Sequence, residues 1–217
     1  MIRFILDHKQ LPLKILCLGS HGDDIEIGCG GTLLQLAQDY EGQLIVHWVV
    51  FSATMEREKE ARESAEAFLR GTKEKKIIIY HYEDSFFPYV GGEIKRTMHQ
   101  VSCEFAPDLI FTHRGQDAHQ DHRLISELTW NAFRDHLILE YEIPKYDGDL
   151  GLPNVFVPLS ESAYRDKLSH LMAYFKSQTG KQWFREDTFL SILRLRGIEC
   201  NSASGHAEAF YSRKIVL

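Results

Sequence analysis

No stretch of the chain reaches about 18 consecutive apolar residues, so nothing in it reads as a membrane span. The opening MIRFILDHKQLPLKILCLGS carries Asp7 and lacks a basic start, a continuous apolar stretch and a small-residue cleavage site, which argues against a secretory signal. Basic residues are not in excess either: 25 Lys and Arg against 31 Asp and Glu give a net charge of −6. Nucleic acid and anionic membrane are therefore not expected partners, although a local basic patch is not excluded. The four cysteines, Cys17, Cys29, Cys103 and Cys200, are far apart with no CxxC spacing, as expected of reduced thiols in a cytoplasmic protein. There is no internal repeat and no low-complexity segment. A GxxxxGK[ST] phosphate loop is missing, and Gly28-Cys29-Gly30-Gly31 is not the GxGxxG dinucleotide fingerprint.

What is present is ordinary globular usage, 44% hydrophobic and 26% charged over 217 residues, and it predicts one domain spanning residues 1–217. Strands are expected at Lys14–Gly19, Leu44–Phe51, Lys76–Tyr80 and Asp108–Thr112, each a compact apolar run bounded by turn residues. Between them, helical spacing of apolar residues predicts helices at Ile27–Tyr40, Arg57–Leu69 and Glu93–Phe105, with another from about His119 to His136. Tyr141–Val157, holding Pro144, Gly148, Gly151 and Pro153, reads as a loop with a fifth strand at Asn154–Val157. Helices at about Ser162–Lys176 and Thr188–Gly197 precede a terminal stretch near Glu208–Ile215. Such alternation implies parallel strands joined by right-handed crossovers, hence a three-layer α/β sandwich. Its mostly parallel sheet is expected to be Rossmann-like, with strand order 3-2-1-4-5 at its centre.

Two clusters carry chemistry. Ser20-His21-Gly22-Asp23-Asp24-Ile25-Glu26 sits where the first strand ends, and His113-Arg114-Gly115-Gln116-Asp117-Ala118-His119-Gln120-Asp121-His122 begins where the fourth strand ends. In that strand order the first and fourth strands are neighbours, and both clusters meet at the switch point where open α/β sheets bind ligands. Three carboxylates and an imidazole within seven residues are costly to place together unless a cation or hydrogen bonds compensate. Mixed imidazole and carboxylate donors suit zinc in a catalytic site. His119 and His122 share a helix face, so spacing alone allows either to face the ion. The glycines at 28, 30 and 31 are expected to let a helix start close to the site, with backbone N–H groups available to an anion.

His21-Gly22-Asp23-Asp24-x-Glu26-Ile27-Gly28-x-Gly30-Gly31-Thr32-Leu33 resembles the AHPDDxExGxGGTL signature of the PIG-L/LmbE-like zinc-dependent N-deacetylases. Asp117-x-His119-x-Asp121-His122 is similar to the family's DxHxDH signature, Arg57 and Glu60 to its RxxE helix, and Ala207-Glu208-Ala209-Phe210 to its C-terminal AEAF. Gly22 departs from the usual Pro. The resemblance implies that His21, Asp24 and His122 bind one divalent metal, most often zinc, and that Asp23 is the general base. It also casts His119, oriented by Asp121, as the group that stabilises the oxyanion or protonates the leaving amine. With Asp121 as partner, His119 is expected to favour its protonated form.

The activity implied is hydrolysis of an N-acetyl group from a small amino-sugar compound, a reaction at a linear amide C–N bond. Another metal hydrolase such as a phosphoesterase, or a non-catalytic nucleotide- or metal-binding module, is the alternative. Arg57 is expected to hold a carbonyl or the acetate product, or else to pair with Glu60 on an exposed face. Asp84 and His81, at the third strand's end, are candidates to reach the crevice, Asp84 as a substrate contact. His206 is a candidate for the sugar pocket. His113 reads either as a partner of the metal ligands or as a simple strand-end residue. A homo-oligomer is left open.

Overall fold

The computed structural model of the protein describes residues 11–216; Asp7 and the first half of the opening read against a signal lie outside the described residues. Seven strands form one sheet: β1 (Leu13–His21), β2 (Leu44–Ser52), β3 (Glu74–Ile79), β4 (Leu109–His113), β5 (Leu137–Tyr141), β6 (Val155–Pro158) and β7 (Ala207–Tyr211). The helices are α1 (Asp24–Asp39), α2 (Met55–Phe68), α3 (Gly91–Glu104), α4 (Gln120–Ala132), α5 (Glu161–Tyr174) and α6 (Glu186–Glu199). Strand order is β3-β2-β1-β4-β5-β7-β6. The first five are parallel, and β7 runs antiparallel to both β5 and β6.

The three layers follow from how β1 is buried. Every residue of this strand but Lys14 is buried, because helices cover both sheet faces. One face carries Ile15, Cys17, Trp48 and Phe111 against α1, α2, α5 and α6, and the other carries Leu16, Leu18, Phe51 and Ile110 against α3 and α4. Among the described residues no helix is long and apolar enough to cross a membrane.

Two expectations fail. The strand beside β4 is Leu137–Tyr141, not Asn154–Val157, and the helix expected to run to His136 ends at Ala132. A five-residue run covered on both faces has no alternation, so Leu137-Ile138-Leu139 cannot be told from a continuing helix by periodicity. The segment at Val155–Pro158 is a strand, but it lies at the far edge, antiparallel to β7.

Candidate active site

The carboxyl ends of β1 and β4, adjacent in the sheet, deliver the two clusters to one crevice. His21 is the last residue of β1, Asp23 and Asp24 open α1, and His113 closes β4. His119 is the N-cap of α4, which puts Asp121 and His122 in its first turn. His21, Asp23, Asp24, Asp121 and His122 are all buried, most of them almost completely.

His21 Nδ1 lies 3.2 Å from His122 Nε2 and 3.3 Å from Asp24 Oδ2, and His122 Nε2 is 3.5 Å from Asp24 Oδ2. A tetrahedral zinc with donors at roughly 2.0–2.2 Å has donor–donor edges of about 3.3–3.6 Å. The three donor atoms therefore already hold close to the spacing a zinc ion requires. The neighbouring groupings of His119 with His21 and His122, and of His113 with Asp24 and His122, are also within ion-binding reach. His113, however, uses Nε2 to accept the Ser20 N–H at 2.9 Å, which leaves that atom without a lone pair for an ion.

The imidazoles of His21 and His122 each have a carboxylate on the other nitrogen, an arrangement that fixes the tautomer. His122 Nδ1 is 3.0 Å from Asp117 Oδ2, and His21 Nε2 is 3.3 Å from Asp121 Oδ2 and 3.0 Å from Asp84 Oδ1. Asp121 is thus the partner of His21 rather than of His119, which corrects the sequence expectation. Its carboxylate also accepts N–H bonds from Ser85 (2.6 Å) and Phe87 (3.2 Å), carrying the loop after β3, and with it Asp84, to the site. His119 instead uses Nδ1 to accept the Asp121 backbone N–H at 3.2 Å. Its ring proton then sits on Nε2.

Charge follows this geometry. Burial pushes the Asp24 carboxyl up, but His122, His113 and His21 outweigh it and hold the group well below the carboxylate range. Burial lowers His21, yet Asp24 and its carboxylate hydrogen bonds leave it well above the usual imidazole value. His119 is lowered by burial and by its imidazole neighbours, so the expectation of a favoured imidazolium is overturned. Burial pushes His113 down to about 4. Asp23 is raised by burial, against the pull of Arg57, whose Nη2 donates to Asp23 Oδ1 at 2.7 Å.

Arg57 is therefore at the site and not paired with Glu60, which accepts instead from Ser177 N–H and Oγ–H. His81 turns to the Ala53 carbonyl and Glu58, and does not join the cluster. His206 stacks on Tyr164 at 4.0 Å and bonds the Ser204 carbonyl; none of its described contacts reaches the cluster. His113 stands behind the cluster: its ring stacks on His122 at 3.9 Å. The sequence reading missed Asp117 as the orienting partner of His122, although it stands within the DxHxDH signature. It also missed Tyr141, whose hydroxyl donates to the Leu18 carbonyl and whose ring backs His113.

The glycines of α1 serve packing. A Cβ on Gly28 would lie 2.2 Å from the Tyr141 ring, so only glycine lets α1 approach β5. The anion expected at their N–H groups is a side chain of this protein: Glu208 accepts from Gly31 N–H at 2.8 Å and Thr32 N–H at 2.6 Å.

An open α/β sheet with His and Asp donor atoms gathered at its switch point, close enough together to hold a metal ion, defines the class: a Rossmann-like frame with a candidate metal site. The chain belongs to the PIG-L family, whose model, described as GlcNAc-PI de-N-acetylase, matches residues 16–133. That membership supports hydrolase activity of the de-N-acetylase kind. No curated protein matches the chain by sequence. Among solved structures, the conserved protein TT1542 of Thermus thermophilus is 20% identical with a TM-score of 0.72, over 94% of this chain and 96% of that one. The N,N'-diacetylchitobiose deacetylase of Pyrococcus horikoshii is 21% identical with a TM-score of 0.65, over 94% and 84%. GalB of Pseudomonas putida, a 4-carboxy-2-hydroxymuconate hydratase, is 14% identical with a TM-score of 0.69, over 94% and 98%. The fold is thus shared by different chemistries, and the activity has to be argued from the site.

Proposed function

We propose that the protein is a zinc-dependent N-deacetylase that hydrolyses the N-acetyl group of a small amino-sugar compound to acetate and a free amine. The observation that carries this reading is the set of three donor atoms 3.2–3.5 Å apart, with an Arg-held carboxylate beside them, in a chain of the PIG-L family. His21 Nδ1, Asp24 Oδ2 and His122 Nε2 would hold the ion. When bound, it supplies Lewis acidity, which acidifies a water molecule and polarises a carbonyl.

The chain's own groups account for the proton movements. Asp23 takes the proton from the attacking water and passes it to the amide nitrogen as the C–N bond breaks. A raised pKa makes it the better proton acceptor, and Arg57 holds its orientation. His119, neutral and with its proton on Nε2, offers a hydrogen bond to the oxyanion as charge develops there. Phe86 and Tyr89 are exposed, with ring centroids 5.8 Å apart, on the loop that brings Asp84 to the site, and their faces suit a sugar ring. Buried Phe87 does not offer such a face. Cys17, Cys29 and Cys103 are free thiols, which accords with a cytoplasmic enzyme.

The test is an assay of the zinc-loaded protein on a panel of N-acetylated amino sugars and nucleotide sugars, reading acetate and free amine together. Stoichiometric release of both is expected. Release of phosphate from sugar phosphates, with no acetate from any member of the panel, would assign the site to a phosphoesterase instead.

A further inference from the structure

Four residues beyond Tyr141, in the long segment after β5, the Lys145 side chain is only 9% exposed. A buried ammonium is costly unless carboxylates or other acceptors meet it. Here its Nζ lies 2.6 Å from Asp149 Oδ2, 3.0 Å from Asp117 Oδ1 and 3.8 Å from Asp147 Oδ2. Both near carboxylates reach onward into the site. Asp149 Oδ2 accepts the Ala118 N–H at 2.6 Å, and the Asp149 carbonyl accepts from the Arg114 guanidinium. Asp117 Oδ1 accepts the His119 N–H at 2.7 Å, while Oδ2 faces His122 Nδ1 at 3.0 Å. One cation thus stands behind the backbone of residues 118 and 119 and behind the ring of His122.

We propose that Lys145 is a positioning residue of the metal centre, which through Asp117 holds His122 with its proton on Nδ1 and Nε2 free. Through Asp149 it also holds the strand-to-helix turn that presents His119. The inference rests on the metal-centre reading above. Its physical basis is the behaviour of paired carboxylates. Without the ammonium, Asp117 and Asp149 would share a largely buried pocket as like charges, and their repulsion drives the two side chains apart. Once displaced, Asp117 stops accepting from His122 Nδ1–H, and the imidazole proton is free to move to Nε2, the atom the ion needs. Lys167–Glu208 and Arg196–Glu142 are buried ion pairs too, but neither acid touches a histidine of the site. Lys145 is set apart by the histidine at the end of its chain of contacts.

The experiment uses two readouts on the full chain: ¹⁵N NMR of the His122 ring in metal-free protein, and zinc affinity by competition with a chelator. In the unmodified protein the His122 proton is expected on Nδ1. Lys145→Met is expected to mix the two tautomers and to weaken zinc binding about 10-fold or more, the lower end for losing a partner that orients a metal-binding histidine. Lys145→Arg, which keeps the charge, should recover most of both. If Lys145→Met does not fold, Lys145→Gln, which keeps a hydrogen-bond donor but no charge and leaves both carboxylates in place, asks the same question. A His122 spectrum and a zinc affinity unchanged in Lys145→Met, or in Lys145→Gln, would overturn the proposal. Failure of the metal-centre reading looks different: the unmodified protein then binds no zinc, and the tautomer measurement, which needs no metal, decides for or against Lys145.

Discussion

Asp23 and His119 flank the three donors without belonging to them, and the chemistry of each is set by its neighbours. Arg57 holds Asp23 at 2.7 Å, while burial keeps the carboxyl above its ordinary value. A base must be ionised to act, so the acid limb of kcat/KM should report Asp23, with activity lost as pH falls through its pKa. Arg57→Leu removes the opposing charge and should move this limb to still higher pH; a limb that stays or moves down would exclude Asp23 as the group reporting it. Asp23→Asn should keep the metal and lower turnover by about 10² or more, and metal analysis beside steady-state rates separates that result from loss of the site. His119→Ala should likewise keep about one metal per chain while turnover drops roughly 10²–10³, the scale for one oxyanion donor. His122→Ala should lose the metal with the fold intact. If metal analysis finds the ion gone from His119→Ala and retained in His122→Ala, the two roles must be exchanged. The spacing of the two histidines left this choice open, because both lie within one helical turn; the distances from His21 and Asp24 to His122 Nε2 favour His122 as the ligand.

At the scale of elements, α1 ties the site to the rest of the sheet. Its first turn carries Asp24, its glycines let it lie against Tyr141 and Phe68, and Glu208 from β7 accepts its N–H groups at residues 31 and 32. Lys167 from α5 completes the joint, donating to the Ile27 carbonyl at 2.6 Å and pairing with Glu208. Gly28→Val should push α1 off β5, since a Cβ there would overlap the Tyr141 ring. A cost of about 1–3 kcal/mol or more is expected from overpacking, together with weaker zinc binding because Asp24 rides on the same helix. Urea unfolding of the metal-free variant beside a zinc titration checks both, and a stable variant with undiminished affinity would show that α1 does not transmit its packing to the site. The GxGG and AEAF signatures are two sides of this one joint, which is why residues so far apart in sequence answer to each other.

For the whole molecule, the donors come from β1, α1 and α4, so an ion bound there should couple the two halves of the central sheet. A ligand that binds only the native state stabilises it by about 2.7 kcal/mol at 100 times its Kd. For a chain of this length that corresponds to roughly 5–10 °C in Tm. Calorimetry with zinc and with a chelator should show this difference, and His122→Ala should abolish it. Equal transitions in both conditions would mean that the cluster holds no ion in the native state.

The sequence by itself determined the order of β1 to β4, their parallel pairing and the meeting of two His/Asp clusters at the switch point, because buried strands are continuous apolar runs and crossovers have one hand. It also marked Asp23, Asp24, His119 and His122, since charged groups massed at the ends of buried strands need compensation. Only the tertiary structure decided which carboxylate serves which imidazole. Asp117 and Asp121 lie on either side of His119 in the chain, and their assignment to His122 and His21 depends on where β1 and the loop after β3 bring their groups. Lys145 and Tyr141 carried no local signal for the same reason. Their part comes from β5, a strand too short and too evenly covered to show a period, which packs beside β4 and sets both residues behind the histidines.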